Sequence, residues 1–243
     1  RYLYAEMNLK IVKYLQAKRV KVDYLQAINA PNSSYYVNYL DRKLPPVLCG
    51  DDVSSILGYV TSIDNAIYKM VKGFDKRIRL GGPELGSPDQ DWLKAYVKCV
   101  PNAEFLSYHQ YGRWYDPGKT TASPNQTLVD MQNAAGRGPN KALSYYDQAK
   151  SMREVKNIPV FLMEYNMNAA WGPSDPRQST VEGAVYNAIA LTRTIQGVAS
   201  LALVWDAFST NSFGLFSRVA GEYVTTPYAS LLTKLHNSLP STF

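Results

Sequence analysis

Five times along this chain a short, almost wholly apolar segment is followed by an amphipathic one, and each apolar segment ends in polar or aromatic residues. The apolar segments begin near 20, 76, 103, 158 and 198, about 44 residues apart on average, a spacing that fits strand–helix units. Strands without apolar–polar alternation are buried on both faces, which implies a parallel sheet covered by helices. In such α/β folds and barrels, ligands bind at the carboxyl ends of the strands. The expectation is an α/β fold, a TIM-type (β/α)8 barrel, with residues 1–243 supplying about strands 4 to 8 and their helices. Three further units, roughly 130 residues, would close it. The chain is therefore expected to be the C-terminal five-eighths of one barrel domain, its first three βα units absent. Open apolar sheet edges are avoided, so an N-terminal part or a second chain is expected to complete the wall.

The coarse element reading follows from periodicity and punctuation. Met7, Ile11, Tyr14 and Leu15 predict a helix over 4–18, and Val20–Ile28 a strand ending in Asn29-Ala30-Pro31. Ile56, Val60, Ile63, Ile67 and Met70 mark a long helix over 52–74. A strand over 77–80 closes on Gly81-Gly82-Pro83, and a helix over 89–100 is started by Ser87 as cap and Pro88 as its first residue. Strands over 103–108, 158–163 and 198–204 alternate with helices over about 128–153, broken near 136–139, and over 179–196. A last helix covers about 227–235.

Composition narrows the function. The formal net charge of +6 is scattered, with no basic run of five, which argues against a nucleic-acid partner. No stretch approaches ~18 uninterrupted apolar residues, so no membrane span is expected. Two cysteines, Cys49 and Cys99, exclude a disulfide-rich scaffold and a four-cysteine zinc site; one bridge and two free thiols both stay open. His109 and His236 leave little for a histidine metal centre, and no cofactor is expected. Nineteen tyrosines suit stacking against sugars or bases, although most tyrosines simply pack with the hydroxyl toward water. The opening Arg-Tyr-Leu-Tyr looks like the start of a mature fragment or of the ordered part of something longer. The sequons at Asn32 and Asn125 are compatible with a secreted glycoprotein.

Glu164 is the sharpest single signal. The apolar run Ile-Pro-Val-Phe-Leu-Met delivers a carboxylate where the strand leaves the wall, a costly placement unless partners or function hold it there. A rim ion pair is the plain alternative. Around it a resemblance becomes specific. Asn29-Ala30-Pro31 looks like the Asn-Glu-Pro strand end of clan A glycoside hydrolases. Gly81-Gly82-Pro83, Ser107 to Gly112, Met163 to Asn166 and Val204 to Asp206 follow in that clan's order. The sequence most resembles family 39, the β-xylosidase and α-L-iduronidase relatives, and Phe213-Gly214-Leu215 and Thr226-Pro227-Tyr228 are similar to that family's last barrel unit.

The resemblance implies a retaining glycoside hydrolase acting on a β-linked or uronide-type glycan, an oligo- or polysaccharide or glycoside. It implies Glu164 as nucleophile, opposite a second carboxyl ~5–5.5 Å away. Asn29 matches a residue that bonds the sugar 2-hydroxyl, His109 and Tyr111 line the pocket, Tyr165 and Asn166 beside the nucleophile bind substrate, and Trp205 offers a platform for the sugar ring. Ala30 departs from the pattern: the family has Glu there, and a methyl group neither protonates a leaving oxygen nor activates water. An engineered removal, a natural pseudoenzyme and a relocated carboxylate, Glu84 being nearest in sequence, are all open; the sequence favours loss of the acid. The competing function is a catalytically inactive barrel that binds carbohydrate or serves a structural role. An unrelated barrel enzyme is the third.

Overall fold

A computed structural model describes residues 1–33, 49, 56–112, 124–169, 175–208 and 214–238. Residues 52–55 of the expected second helix, Ser34 of the first sequon and Phe213 lie outside the described residues. Helix α1 (Tyr2–Ala17) is followed by strand β1 (Tyr24–Leu25), α2 (Ile56–Phe74), β2 (Arg79–Leu80), β3 (Gly82–Leu85), α3 (Gln90–Cys99) and β4 (Leu106–Tyr111). Then come α4 (Pro124–Ala134), α5 (Tyr145–Val155), β5 (Val160–Asn166), α6 (Val181–Gln196), β6 (Leu201–Val204), the hairpin β7 (Phe216–Val219) and β8 (Glu222–Thr225), and α7 (Pro227–Ser238).

The expected alternation is present, and its strands pair in parallel. Tyr24 stands opposite Arg79 in the β1–β2 pair, and Gly82 opposite Leu106 in the β3–β4 pair. The larger sheet has the order β3-β4-β5-β6. Leu106 N–H donates to the Pro159 carbonyl and Gly112 N–H to that of Asn166, so β5 follows β4 in the same direction. The hairpin β7–β8 is antiparallel and additional to the five expected strands. Ala220 and Gly221 at its turn both take positive φ, 51° and 92°, as a tight hairpin turn requires.

The chain divides into two compact units, residues 1–109 with 151–161 and residues 110–150 with 162–243. In the first, Ala5 and Val12 of α1 pack with Ile63, Ile67, Val71, Ile78 and Leu80. That corrects the expected face of α1: Met7, Ile11 and Tyr14 point to solvent, and the buried row is Ala5, Asn8 and Val12. Phe105 and Phe161 stack at 4.7 Å beneath Tyr24. Cys49 and Cys99 are joined in a disulfide. In the second unit Tyr145, Tyr165, Tyr186 and Tyr228 form a buried tier with edge-on ring contacts. Arg177 is buried there in ion pairs with Asp175 and Asp130.

Several boundaries move. The first strand shortens to Tyr24–Leu25. The third runs over 106–111 rather than 103–108, carrying His109 and Tyr111 inside the ladder. Asp89, not Ser87, caps α3, its carboxylate accepting the N–H groups of Asp91 and Trp92: an Asx side chain satisfies the orphan donors of the first turn.

Candidate active site

In the first unit the ends of β1 and β3 are tied together. Between β2 and β3 the chain passes Gly81, where a Cβ would lie 2.3 Å from the Phe105 carbonyl oxygen, so only glycine fits. Three residues on, Glu84 adopts φ 52°, and Ala30 at the end of the first strand segment adopts φ 48°. Left-handed backbone at non-glycine residues costs roughly 1–2 kcal/mol each and persists only where surroundings enforce it. Here they do. Ala30 N–H donates to the Glu84 carbonyl at 2.9 Å. Glu84 N–H donates to Ser107 Oγ at 3.0 Å, and that hydroxyl in turn contacts Gln26 Oε1. Asn32 completes the clamp, accepting Gly86 N–H at 2.7 Å and donating to the Ser87 carbonyl at 3.1 Å.

The Glu84 side chain is 14% exposed, and its Oε1 lies 3.0 Å from Nε2 of buried His109. A mostly buried carboxyl is stable only with such a partner. Sequence reasoning ranked Glu84 as the nearest substitute carboxylate and His109 as a pocket residue; the structure makes them a hydrogen-bonded pair and ties Glu84 to position 30 through the backbone. Asn29 is exposed, and among the described residues its side chain has no polar partner.

In the second unit Glu164 stands near the carboxyl end of β5, where Tyr111 of β4 donates its hydroxyl to Oε2 at 2.8 Å. Burial first, then the Glu164 carboxylate and, further off, Asp206 push the Tyr111 hydroxyl well above the ordinary phenol range. It therefore stays a proton donor, and a neutral donor favours the ionised form of the carboxylate it bonds. Asp206, just past β6, is held above the ordinary carboxyl range by burial. Its Oδ1 is buried without a hydrogen-bond partner among the described residues. Sequence reasoning gave Asp206 no role; its place after an apolar strand, like that of Glu164, was the available signal.

Two expected site residues are buried. Tyr165 alternates to the opposite side of β5 from Glu164. It is 2% exposed, its ring meets Tyr145 and Tyr228, and its hydroxyl bonds that of Tyr228, so it belongs to the core. Asn166 is also buried: Nδ2 donates to the Trp205 carbonyl at 2.7 Å, and Oδ1 accepts Met167 N–H and Asn187 Nδ2. These bonds tie it to the end of β6 and to α6. Trp205 is half-buried, its N–H donating to the Tyr165 carbonyl.

No protein-family model and no curated protein matches the sequence. Solved structures do match. A family 39 β-xylosidase from Caulobacter crescentus superposes on 96% of this chain with TM-score 0.58 and 16% identity. This chain has part of the (β/α) barrel fold of that structure. β-Glycosidase BGL167 matches 99% of the chain and 68% of its own, with TM-score 0.63 and 14% identity. A hyperthermophilic β-glucosidase mutant matches 94% of this chain and 58% of its own, with TM-score 0.56 and 14% identity. The chain spans about half the length of the β-xylosidase, 46%, and its parallel strands and helices make part of a (β/α) barrel. At these identities the likeness is one of fold.

Proposed function

We propose that this chain carries the nucleophile side of a retaining glycoside hydrolase acting on a β-linked or uronide-type glycan. The observation that supports it is the Tyr111–Glu164 pair at the carboxyl end of β5. Glu164 attacks the anomeric carbon and forms a glycosyl-enzyme ester; Tyr111 holds it ionised and oriented before attack. Trp205 serves as an apolar platform for the sugar ring.

The second reading, a barrel that binds carbohydrate without turning it over, is favoured by Ala30, which supplies no proton where the family resemblance places the acid/base. A 2,4-dinitrophenyl 2-deoxy-2-fluoro-glycoside separates the two, because its leaving group departs unprotonated and its ester accumulates. Xylosyl, glucosyl, galactosyl and glucuronyl versions would be offered to the full-length protein. Mass spectrometry should find one sugar on Glu164. Binding of the parent glycosides without labelling would favour the binding protein.

The exposed face of α1, with Leu3, Met7, Ile11 and Tyr14, supports completion of the barrel by a further segment or chain. The Cys49–Cys99 disulfide supports an oxidising, secreted setting.

A further inference from the structure

We infer that Asp206, just past the end of β6, performs the proton transfers that accompany attack by Glu164. The inference rests on the glycosidase reading above and names a residue to which that reading gives no part. Both carboxyls belong to the second compact unit and stand at the ends of neighbouring strands of one parallel sheet. Main-chain bonds hold Asp206 in place: Trp205 N–H donates to the Tyr165 carbonyl of β5, and the Asp206 carbonyl accepts Leu215 N–H at 2.9 Å. The surroundings of the two carboxyls differ in opposite senses. Glu164 accepts the Tyr111 hydroxyl at 2.8 Å, a donor that favours the carboxylate. Asp206 Oδ1 is buried and has no donor among the described residues, which favours the neutral acid and leaves that oxygen open to a bound group. Burial accordingly holds the Asp206 carboxyl above its ordinary range. Tyr111 lies within the influence of both, bonded to Glu164 and raised further by the charge of Asp206. A pair of carboxyls that surroundings drive apart, one ionised and one protonated, supplies the nucleophile and the acid that glycoside hydrolysis requires. No group of the first unit enters this pair.

The chemistry balances with water as the only co-reactant. In the first step a Glu164 oxygen bonds to the anomeric carbon as the bond from that carbon to the glycosidic oxygen breaks. The electron pair stays on the glycosidic oxygen, which takes the Asp206 proton and leaves as an alcohol. In the second step the Asp206 carboxylate takes a proton from water while the water oxygen bonds to the anomeric carbon and the sugar–enzyme ester bond breaks. Asp206 ends protonated and Glu164 ionised, as they began.

The test uses the full-length protein and whichever sugar of the fluoro-glycoside panel labels Glu164. On an alkyl glycoside of that sugar, D206N should lose ~10²–10⁴-fold, the usual value of general acid–base help. Its loss in the first step on the dinitrophenyl glycoside, whose leaving group needs no proton, should be far smaller. D206A with sodium azide should release the glycosyl azide and recover turnover of the dinitrophenyl substrate. If D206N fails to fold, D206E takes its place: it keeps the carboxyl but displaces it by one methylene, and should lose about tenfold to a hundredfold on the alkyl glycoside alone. Equal losses on both substrates would overturn the proposal, since a carboxyl that only supports the fold or binds the sugar affects both alike. No loss on either substrate would overturn it too, as would D206A that labels Glu164 yet yields no azide product. Failure of every panel member to label Glu164 would remove the glycosidase reading and this proposal with it. Labelling of Glu164 without dependence on Asp206 would remove this proposal alone.

Discussion

Tyr111 donates its hydroxyl to Glu164 across 2.8 Å, between neighbouring strands β4 and β5. A hydrogen bond to a charged group is worth about 1.5–3 kcal/mol. Y111F should therefore slow labelling of Glu164 by the fluoro-glycoside about tenfold to a hundredfold and lower the melting temperature by several degrees. Labelling kinetics followed by intact-mass measurement would check it, and an unchanged rate would detach Tyr111 from any reactivity of Glu164.

Asp64 of α2 accepts the Tyr96 hydroxyl at 2.8 Å, and burial, opposed by that bond, raises its carboxyl to about 7. The folded protein thus holds this proton where the unfolded chain, titrating near 3.8, has released it. Stability from this group is full below about pH 4 and declines as pH rises toward 7, by at most about 1.4 kcal/mol per pH unit. D64N should flatten that decline and be the more stable protein at pH 8. Urea titrations at pH 5 and pH 8 would show whether the difference has this sign.

Asn32 holds two backbone groups of the 84–87 turn. N32A leaves Gly86 N–H and the Ser87 carbonyl without these partners and should cost about 1–3 kcal/mol. Because the same amide is a sequon acceptor, a glycan there would compete with the bond to Ser87. In a eukaryotic secretory host the exposed Asn125 should carry the glycan and Asn32 should not. Peptide mapping after endoglycosidase treatment would decide between the two sites.

The Cys49–Cys99 bridge closes a loop spanning 50 residues of sequence separation. On the chain-entropy estimate a closure of that size contributes about 4 kcal/mol. The C49S/C99S double variant should melt well below the parent protein, and a reductant should lower the parent's midpoint without moving the variant's. A parent insensitive to reductant would argue against the bridge.

The strand–helix alternation was legible because buried parallel strands are written as continuous apolar runs. The barrel fold was legible because strand-end motifs stood in register with it. What escaped were features that periodicity does not encode. The strand over 106–111 was read three residues early because its polar end, Ser107, His109 and Tyr111, lacks apolar character yet remains hydrogen-bonded in the ladder. Tyr165 and Asn166 were grouped with Glu164 by adjacency, although alternation along β5 sends Tyr165 into the tyrosine tier and the Trp205 carbonyl occupies Asn166. The partnership of Glu84 with His109 joins residues 25 positions apart through side chains, and no local pattern announces it. The hairpin at 216–225 did carry a signal, Ala220-Gly221 between two β-prone runs, that was passed over.

The paired left-handed residues give this molecule two very different latent substitutions. Glycine at position 30 would relieve the strain at φ 48° while removing only a methyl group, so A30G is a route to a sturdier protein. Glycine at position 84 would relieve the same kind of strain and delete the carboxyl that His109 grips. A directed-evolution campaign selecting for heat resistance should accept the first readily and the second only where relief of strain outweighs the lost bond to His109, and the sequences it returns would record the balance between them.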